Sequence, residues 1–176
     1  MEEKILSTQQ IYNGRIVKLE LHEVELPNGQ HSKRELVRHP GAVAIVALDK
    51  NGDVLMVRQF RLAAGKVLLE IPAGTLNPDE APLDCAVREL QEETGYKPGE
   101  IEPMGGIFVA PGYTTEFIHL FMATDLIESK LALDEDEFIE LDRVSMKDAL
   151  TRIESGEIID GKTISGLLRA ARKLGV

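Results

Sequence analysis

The sequence predicts a mixed α/β protein in which a mixed sheet lies between helices on both faces, an α/β/α sandwich. Two observations carry this. Two nearly continuous apolar runs, Ala42 to Leu48 and Val54 to Phe60, are joined by the turn-forming Asp49-Lys50-Asn51-Gly52-Asp53, as strands buried on both faces would be. Helix-forming segments then alternate with further strand candidates, hairpins outnumbering crossovers.

The elements follow in order. From Ile16 to Leu26, Val17, Leu19 and Leu21 and then Val24 and Leu26 alternate with charged residues, a strand with a bulge at the phase change near His22. Pro27-Asn28-Gly29 is a tight turn, and the polar-alternating stretch to Arg38 returns as the second arm of a hairpin. After the breaker His39-Pro40-Gly41 come the two apolar strands and a short strand at Val67 to Ile71. A helix is expected from about Pro82 to Thr94, with proline at its first position and Gly95 just past its end. Strands are expected around Gly106 to Val109, Glu116 to Thr124 and Phe138 to Val144, and helices over Met146 to Ser155 and Thr163 to Leu174. No repeat or long linker divides the 176 residues, so one domain is expected.

Composition narrows the function classes. Asp and Glu number 30 against 20 Lys and Arg, a net charge of −10, which excludes a basic surface that binds nucleic acid by neutralising phosphates. Positive charge for any phosphate ligand must come from elsewhere. The lone Cys85 forms no internal disulfide, the first ten residues lack a secretory pattern, and no apolar run approaches the roughly 20 residues that span a bilayer, so a cytoplasmic protein without a membrane partner is expected.

On the helix after the Pro/Gly/Asp-rich loop, Leu83, Ala86, Val87 and Leu90 make an apolar stripe facing a core. Glu89, Glu92 and Glu93 stand at i, i+3 and i+4, so their carboxylates share a face near the helix C-terminus, where both mutual repulsion and the helix dipole oppose them. Two readings fit: a solvated acidic face relieved by Arg88, or hard oxygen ligands for Mg²⁺ or Mn²⁺.

The spacing around the triplet separates these readings. GTLNPDEAPLDCAVRELQEETGY, from Gly74, follows G-x5-E-x7-R-E-U-x-E-E-x-G-U through Gly74, Glu80, Arg88, Glu89, Leu90, Glu92, Glu93 and Gly95, departing only where Tyr96 replaces an aliphatic residue. The segment resembles the Nudix box, and the resemblance implies the Nudix fold and a divalent-metal-dependent hydrolase that cleaves a diphosphate attached to another moiety. It implies metal ligation by Glu89, Glu92, Glu93 and the main-chain carbonyl of Ala73, with Mg²⁺ as the ion and Mn²⁺ able to substitute. Arg88 would hold the acidic helix by ion pairing, and Glu80 would orient the loop.

Pro111 lies fifteen residues past Tyr96 in GGIFVAPGYTTE, a setting similar to that of the ADP-ribose pyrophosphatase group. RQFRLAAGKVLLEIPAG resembles the strand pair leading into that group's box, which implies substrate contacts from Arg61 and Glu70 as well as from Pro111 and Gly112. YNGRIVKLELHEVELPNG resembles its N-terminal strands, which pair across a homodimer and bring Arg34 or a neighbour to the partner's site; residues 1 to about 40 are the expected dimerisation region. IIDGKTISGLLRAARKL resembles its closing helix. In the acidic run Leu133 to Glu137, an EF-hand loop counted from Asp134 would need glycine where Ile139 stands and glutamate where Ser145 stands, so calcium of that kind is excluded. The resemblance makes Glu135 the base and Glu137 an accessory ligand or base, with Glu93 the central catalytic carboxylate. The implied reaction converts ADP-ribose to AMP and ribose 5-phosphate. The alternatives are another nucleoside diphosphate compound (GDP-mannose, NADH, a diadenosine polyphosphate) or a sensor that binds ADP-ribose without cleaving it. No histidine adjoins Cys85 in sequence, so a structural role is expected for it.

Overall fold

The computed structural model describes residues 1–129, 131 and 138–176. They gather into two compact units, one formed by 1–41 with 108–117 and the other by 42–107 with 118–176.

The first unit is built on an antiparallel sheet of β1 (Lys4–Asn13), β2 (Lys18–Glu25) and β3 (His31–Arg38). β1 is absent from the sequence reading because KILSTQQIYN has no alternation, and every one of its residues is exposed. The expected bulge at His22 is not in β2: the β2–β3 register runs unbroken from Lys18 to Glu25, and the irregularities fall in β1 after Ile5 and after Gln10. The phase change in the sequence has another cause. His22 is itself an inward residue on the face of Val24, its ring 2.9 Å from both Thr8 Oγ1 and Glu20 Oε2. The segment 108–117 is stitched to the end of β3, with the Val37 amide donating to the Tyr113 carbonyl and the Thr115 amide to the Val37 carbonyl.

The second unit is a mixed sheet between helices. Its strands are β4 (Ala42–Leu48), β5 (Asp53–Arg61), β6 (Lys66–Glu70), β7 (Ala73–Thr75), β9 (Glu100–Phe108), β10 (Phe117–Thr124) and β12 (Ile139–Ser145), ordered β12-β5-β4-β10-β9, with β6 paired to β5 and β7 to β4. Tyr96–Lys97 (β8) and Ile127–Glu128 (β11) form a separate small pair. The α-helices are α1 (Pro82–Thr94), α2 (Met146–Glu154) and α3 (Gly161–Leu174).

β4 is wholly buried, and its alternation serves two cores. Val43, Ile45 and Ala47 pack with Cys85, Ala86 and Leu90 of α1, whereas Ala44, Val46 and Leu48 pack with Ala149 of α2 and with Leu167, Ala170 and Ala171 of α3. The expected helix-covered sheet is therefore present, one helix on one face and two on the other. β9 begins six residues earlier than the apolar pattern suggests, because Glu100, Glu102 and Pro103 mask it; the strand lies at the end of the sheet order, where proline removes no needed donor. α3 begins two residues earlier than expected because Asp160 caps it, accepting from the Thr163 amide at 2.9 Å. Among the described residues no helix is long and apolar enough to cross a membrane.

Candidate active site

α1 starts with Pro82 in its first turn and ends at Gly95, whose left-handed backbone (φ 78°) lets its amide reach the Gln91 carbonyl. Its buried face differs from the apolar stripe read in the sequence. Leu83 is 46% exposed, and the buried residues are Cys85, Ala86, Leu90 and Thr94 together with Glu89 and Glu93. Two of the three carboxylates thus face the protein rather than solvent. The solvated acidic face is thereby ruled out for Glu89 and Glu93.

Arg88 makes the burial of Glu89 tolerable. Its guanidinium donates to both oxygens of Glu80 (2.8 and 3.0 Å), to Glu89 Oε1 (2.7 Å) and to Glu92 Oε2 (2.8 Å). A planar fork with five donors can serve three carboxylates in this way; an ammonium could not keep the same geometry. Glu80 also accepts from the Asn77 amide, which fixes the loop ahead of α1. Hydrogen bonding to Arg88 outweighs burial and pulls the Glu80 carboxyl down to about 2. Burial, with the Glu80 charge behind it, pushes the Cys85 thiol up to about 12, so Cys85 is a neutral core residue as expected.

β7 receives the carboxylates of Glu89 and Glu93. A side chain built on Gly74 would meet Glu89 Cδ at 1.8 Å, so the box glycine is where the Glu89 carboxyl lies against backbone. One residue earlier, the Ala73 amide donates to Glu93 Oε2 at 3.0 Å.

A second charged cluster adjoins this strand. Arg61 grips Glu70 through Nε (2.9 Å) and Nη2 (2.7 Å), and Lys162 Nζ reaches the same carboxylate and Asp160 (3.0 Å). Glu70 is 1% exposed; burial raises its carboxyl, but Arg61 and Lys162 together overcome this and hold it below its ordinary value. Thr163 Oγ1 donates to Asp160 (2.6 Å) and accepts from the Ile71 amide (3.0 Å). Sequence reasoning missed Asp160, Lys162 and Thr163. The Asp-x-x-Thr spacing marks a helix cap, yet no local pattern links Lys162 to a glutamate 92 positions earlier.

The remaining candidates belong to the first unit or to undescribed residues. Arg34 pairs with Glu3 (Nε, 3.0 Å) and Ser32 (3.0 Å). Pro111 and Gly112 are exposed in a turn closed by the Tyr113 amide on the Ala110 carbonyl. A side chain on Gly112 would touch nothing within 4 Å. Glu135 and Glu137 lie outside the described residues.

The family described as NUDIX domain matches residues 37–165, and one described as nucleoside diphosphate sugar hydrolase N-terminal domain matches residues 3–37. The chain belongs to the Nudix family. It is 45% identical over 165 residues to an ADP-ribose pyrophosphatase of Bacillus subtilis (strain 168) and 47% identical over 165 residues to a methanol dehydrogenase activator of Bacillus methanolicus, in each case covering 93% of this chain and 89% of the other. A crystal structure of an ADP compounds hydrolase superposes with a TM-score of 0.88 over 99% of this chain and 95% of that one, at 22% identity, and is similar in fold.

Nudix hydrolases generally require a divalent metal, and the donor set here fits one. Glu89, Glu92 and Glu93 offer hard carboxylate oxygens from one helix, against a strand whose Gly74 leaves no side chain in the way. Arg88 holds Glu89 Oε1 and Glu92 Oε2, while Glu93 Oε2 accepts from the Ala73 amide.

Two outcomes follow for the Nudix box of this chain. Gly74→Ala should drive the Glu89 carboxyl off β7 and, if Glu89 serves the reaction, lower kcat about 100-fold, since a misplacement of about 1 Å can cost that much; retained steady-state turnover in that variant would show that the contact does not matter. Glu80 has a folded value of about 2 against an ordinary 4.5, so its contribution to stability is present above about 4.5 and is lost as pH falls toward 2. Glu80→Gln should therefore unfold at lower urea at pH 7 and show a flatter dependence of stability on pH between those values.

Proposed function

We propose that this Nudix protein hydrolyses the diphosphate of ADP-ribose to AMP and ribose 5-phosphate in the cytoplasm. The observation that carries the reading is the buried pair Glu89 and Glu93, held on β7 within an unbroken box, in a chain 45% identical to an ADP-ribose pyrophosphatase over most of both lengths. Glu89, Glu92, Glu93 and the Ala73 carbonyl would hold Mg²⁺, with Mn²⁺ able to replace it. Such ions, when bound, polarise the diphosphate oxygens and make an anion attractive to an acidic site.

The protein's own groups do the rest. Arg88 and Glu80 keep α1 and its loop in register, and Ala73 aims Glu93 through one amide hydrogen bond. Arg61, with its side chain 38% exposed, faces the diphosphate, and Glu70 lies beneath it. Pro111 and Gly112 are assigned to substrate contact by the resemblance alone. Water adds to one phosphorus, the bridging P–O bond breaks, and the proton of that water passes to Glu135 or Glu137, the bases assigned by resemblance.

A homodimer is part of this reading, with residues 1 to about 40 contributing the interface and Arg34 reaching the partner's site. β1 supports it, since Ile5, Leu6, Ile11 and Tyr12 are 39–58% exposed on a three-stranded sheet. Equilibrium sedimentation should give twice the 19.4 kDa chain mass, and a monomer at micromolar concentration would remove the dimer from the proposal.

The relative named as a dehydrogenase activator makes substrate choice the decisive assay. ADP-ribose, GDP-mannose, NADH and a diadenosine polyphosphate, each with Mg²⁺ and with Mn²⁺, should rank ADP-ribose first by kcat/KM. A different leader reassigns the substrate, and no turnover favours a sensor. Glu93→Gln should lower kcat by roughly 10³-fold, the scale expected when metal-assisted charge stabilisation is lost, with an unchanged circular dichroism spectrum. Near-normal turnover would sink the ligand assignment.

A further inference from the structure

The Glu70 cluster holds more charge than a strand-to-helix contact requires. A fork-to-carboxylate pair between Arg61 and Glu70 is complete by itself, with two parallel hydrogen bonds. Yet a second cation, Lys162, is brought to the same carboxylate with its side chain only 12% exposed. Lys162 sits in the first turn of α3, where the helix dipole opposes a positive charge, and Asp160 at the cap offsets this at 3.0 Å. Along its hydrogen bonds the arrangement alternates in sign, Asp160, Lys162, Glu70, Arg61, and the Glu93 and Asp160 carboxylates act on Arg61 through space. Only the last member is substantially exposed, at 38%, and its Nη1 is the one guanidinium nitrogen with no contact to Glu70.

We propose that Lys162 is a positioning residue for the hydrolysis: by fixing the Glu70 carboxylate from below, it sets the plane of the Arg61 guanidinium so that the Nη1 edge meets a substrate phosphate. The substrate part rests on the reading of Arg61 given above. Without Lys162, Glu70 keeps Arg61 as its partner but loses the contact that fixes its own rotamer, and the fork tilts with it. The Thr163 contact to the Ile71 amide is separate and survives, so the strand leading to Ala73 stays in place.

The test compares Lys162→Met and Lys162→Arg with the parent chain, and adds Arg61→Gln alone and with Lys162→Met. Expected for Lys162→Met is a KM for ADP-ribose about tenfold higher with kcat within threefold, rescue of KM by Lys162→Arg, and no further rise when Lys162→Met is added to Arg61→Gln. Binding of ADP-ribose to metal-free protein by calorimetry should show the same ordering of Kd. Equal losses in kcat from both Lys162 variants, or additive effects in the double variant, would overturn the proposal. A ¹⁵N spectrum of the Arg61 Nε–Hε group separates this from the substrate assignment. The resonance should be sharp in the parent and in Lys162→Arg and broadened in Lys162→Met, whatever substrate turns over. An unchanged resonance in Lys162→Met defeats the positioning role even if ADP-ribose proves to be the substrate, whereas the expected broadening without ADP-ribose turnover would confine the failure to the substrate.

Discussion

One guanidinium decides how the acidic helix can exist. Three glutamates near the C-terminus of α1 repel one another and oppose the helix dipole, and two of them are buried. A buried carboxylate without a partner costs several kcal/mol, enough to erase much of a domain's stability. Arg88 serves Glu80, Glu89 and Glu92 at once, so the loop before the helix and the helix's own acidic face are tied to a single side chain. The rest of the site is placed beside that knot: Glu89 lies against Gly74, and Glu93, about one helical turn further along α1, meets the Ala73 amide.

Opposite layers of the sandwich then act on one short stretch of backbone. Residues 73 and 74 carry the carboxylates of α1, while Glu70 and Ile71 are held by Lys162 and Thr163 at the start of α3. Only Pro72 separates the two sets of contacts, and its carbonyl accepts from the Ile45 amide of β4, the strand with both faces buried. A displacement of α3 would therefore be felt at Ala73 through four residues of chain with little room to absorb it. Gly166 of α3 adds to this rigidity, since a side chain there would meet Ile71 Cδ1 at 2.8 Å.

Legibility in the sequence followed the range of the interaction. β4, β5, α1, β10, β12 and α2 were readable because apolar runs, a first-turn proline and a terminal glycine are local signals. The box could be read for the same reason, its residues lying within one loop and one helix. β1 and the first half of β9 were not readable: one has a polar, unpatterned sequence with every residue exposed, and the other hides behind two glutamates and a proline that an edge strand tolerates. His22 was misread because a hydrogen-bonded histidine can occupy an inward position that hydropathy counts as outward. The rotated face of α1 has a similar origin. Helical periodicity ranks Leu83 above Glu89 for burial, and only the ion pairs of Arg88 reverse that order.

The two arginine clusters also differ in a way that bears on what the site can bind. Around Glu70 and Asp160, Arg61 and Lys162 pair with the two carboxylates one for one, and Glu93 acts on Arg61 as well. Around Arg88, among the described residues, one guanidinium is shared by the three carboxylates Glu80, Glu89 and Glu92, which leaves that cluster net acidic. In the proposed function a diphosphate would approach this face together with divalent charge, since that one guanidinium already serves all three carboxylates. Under the proposed function the two clusters would divide the work of holding one anion: the Arg61 guanidinium would orient it, and the acidic face of α1 would make its binding depend on divalent metal.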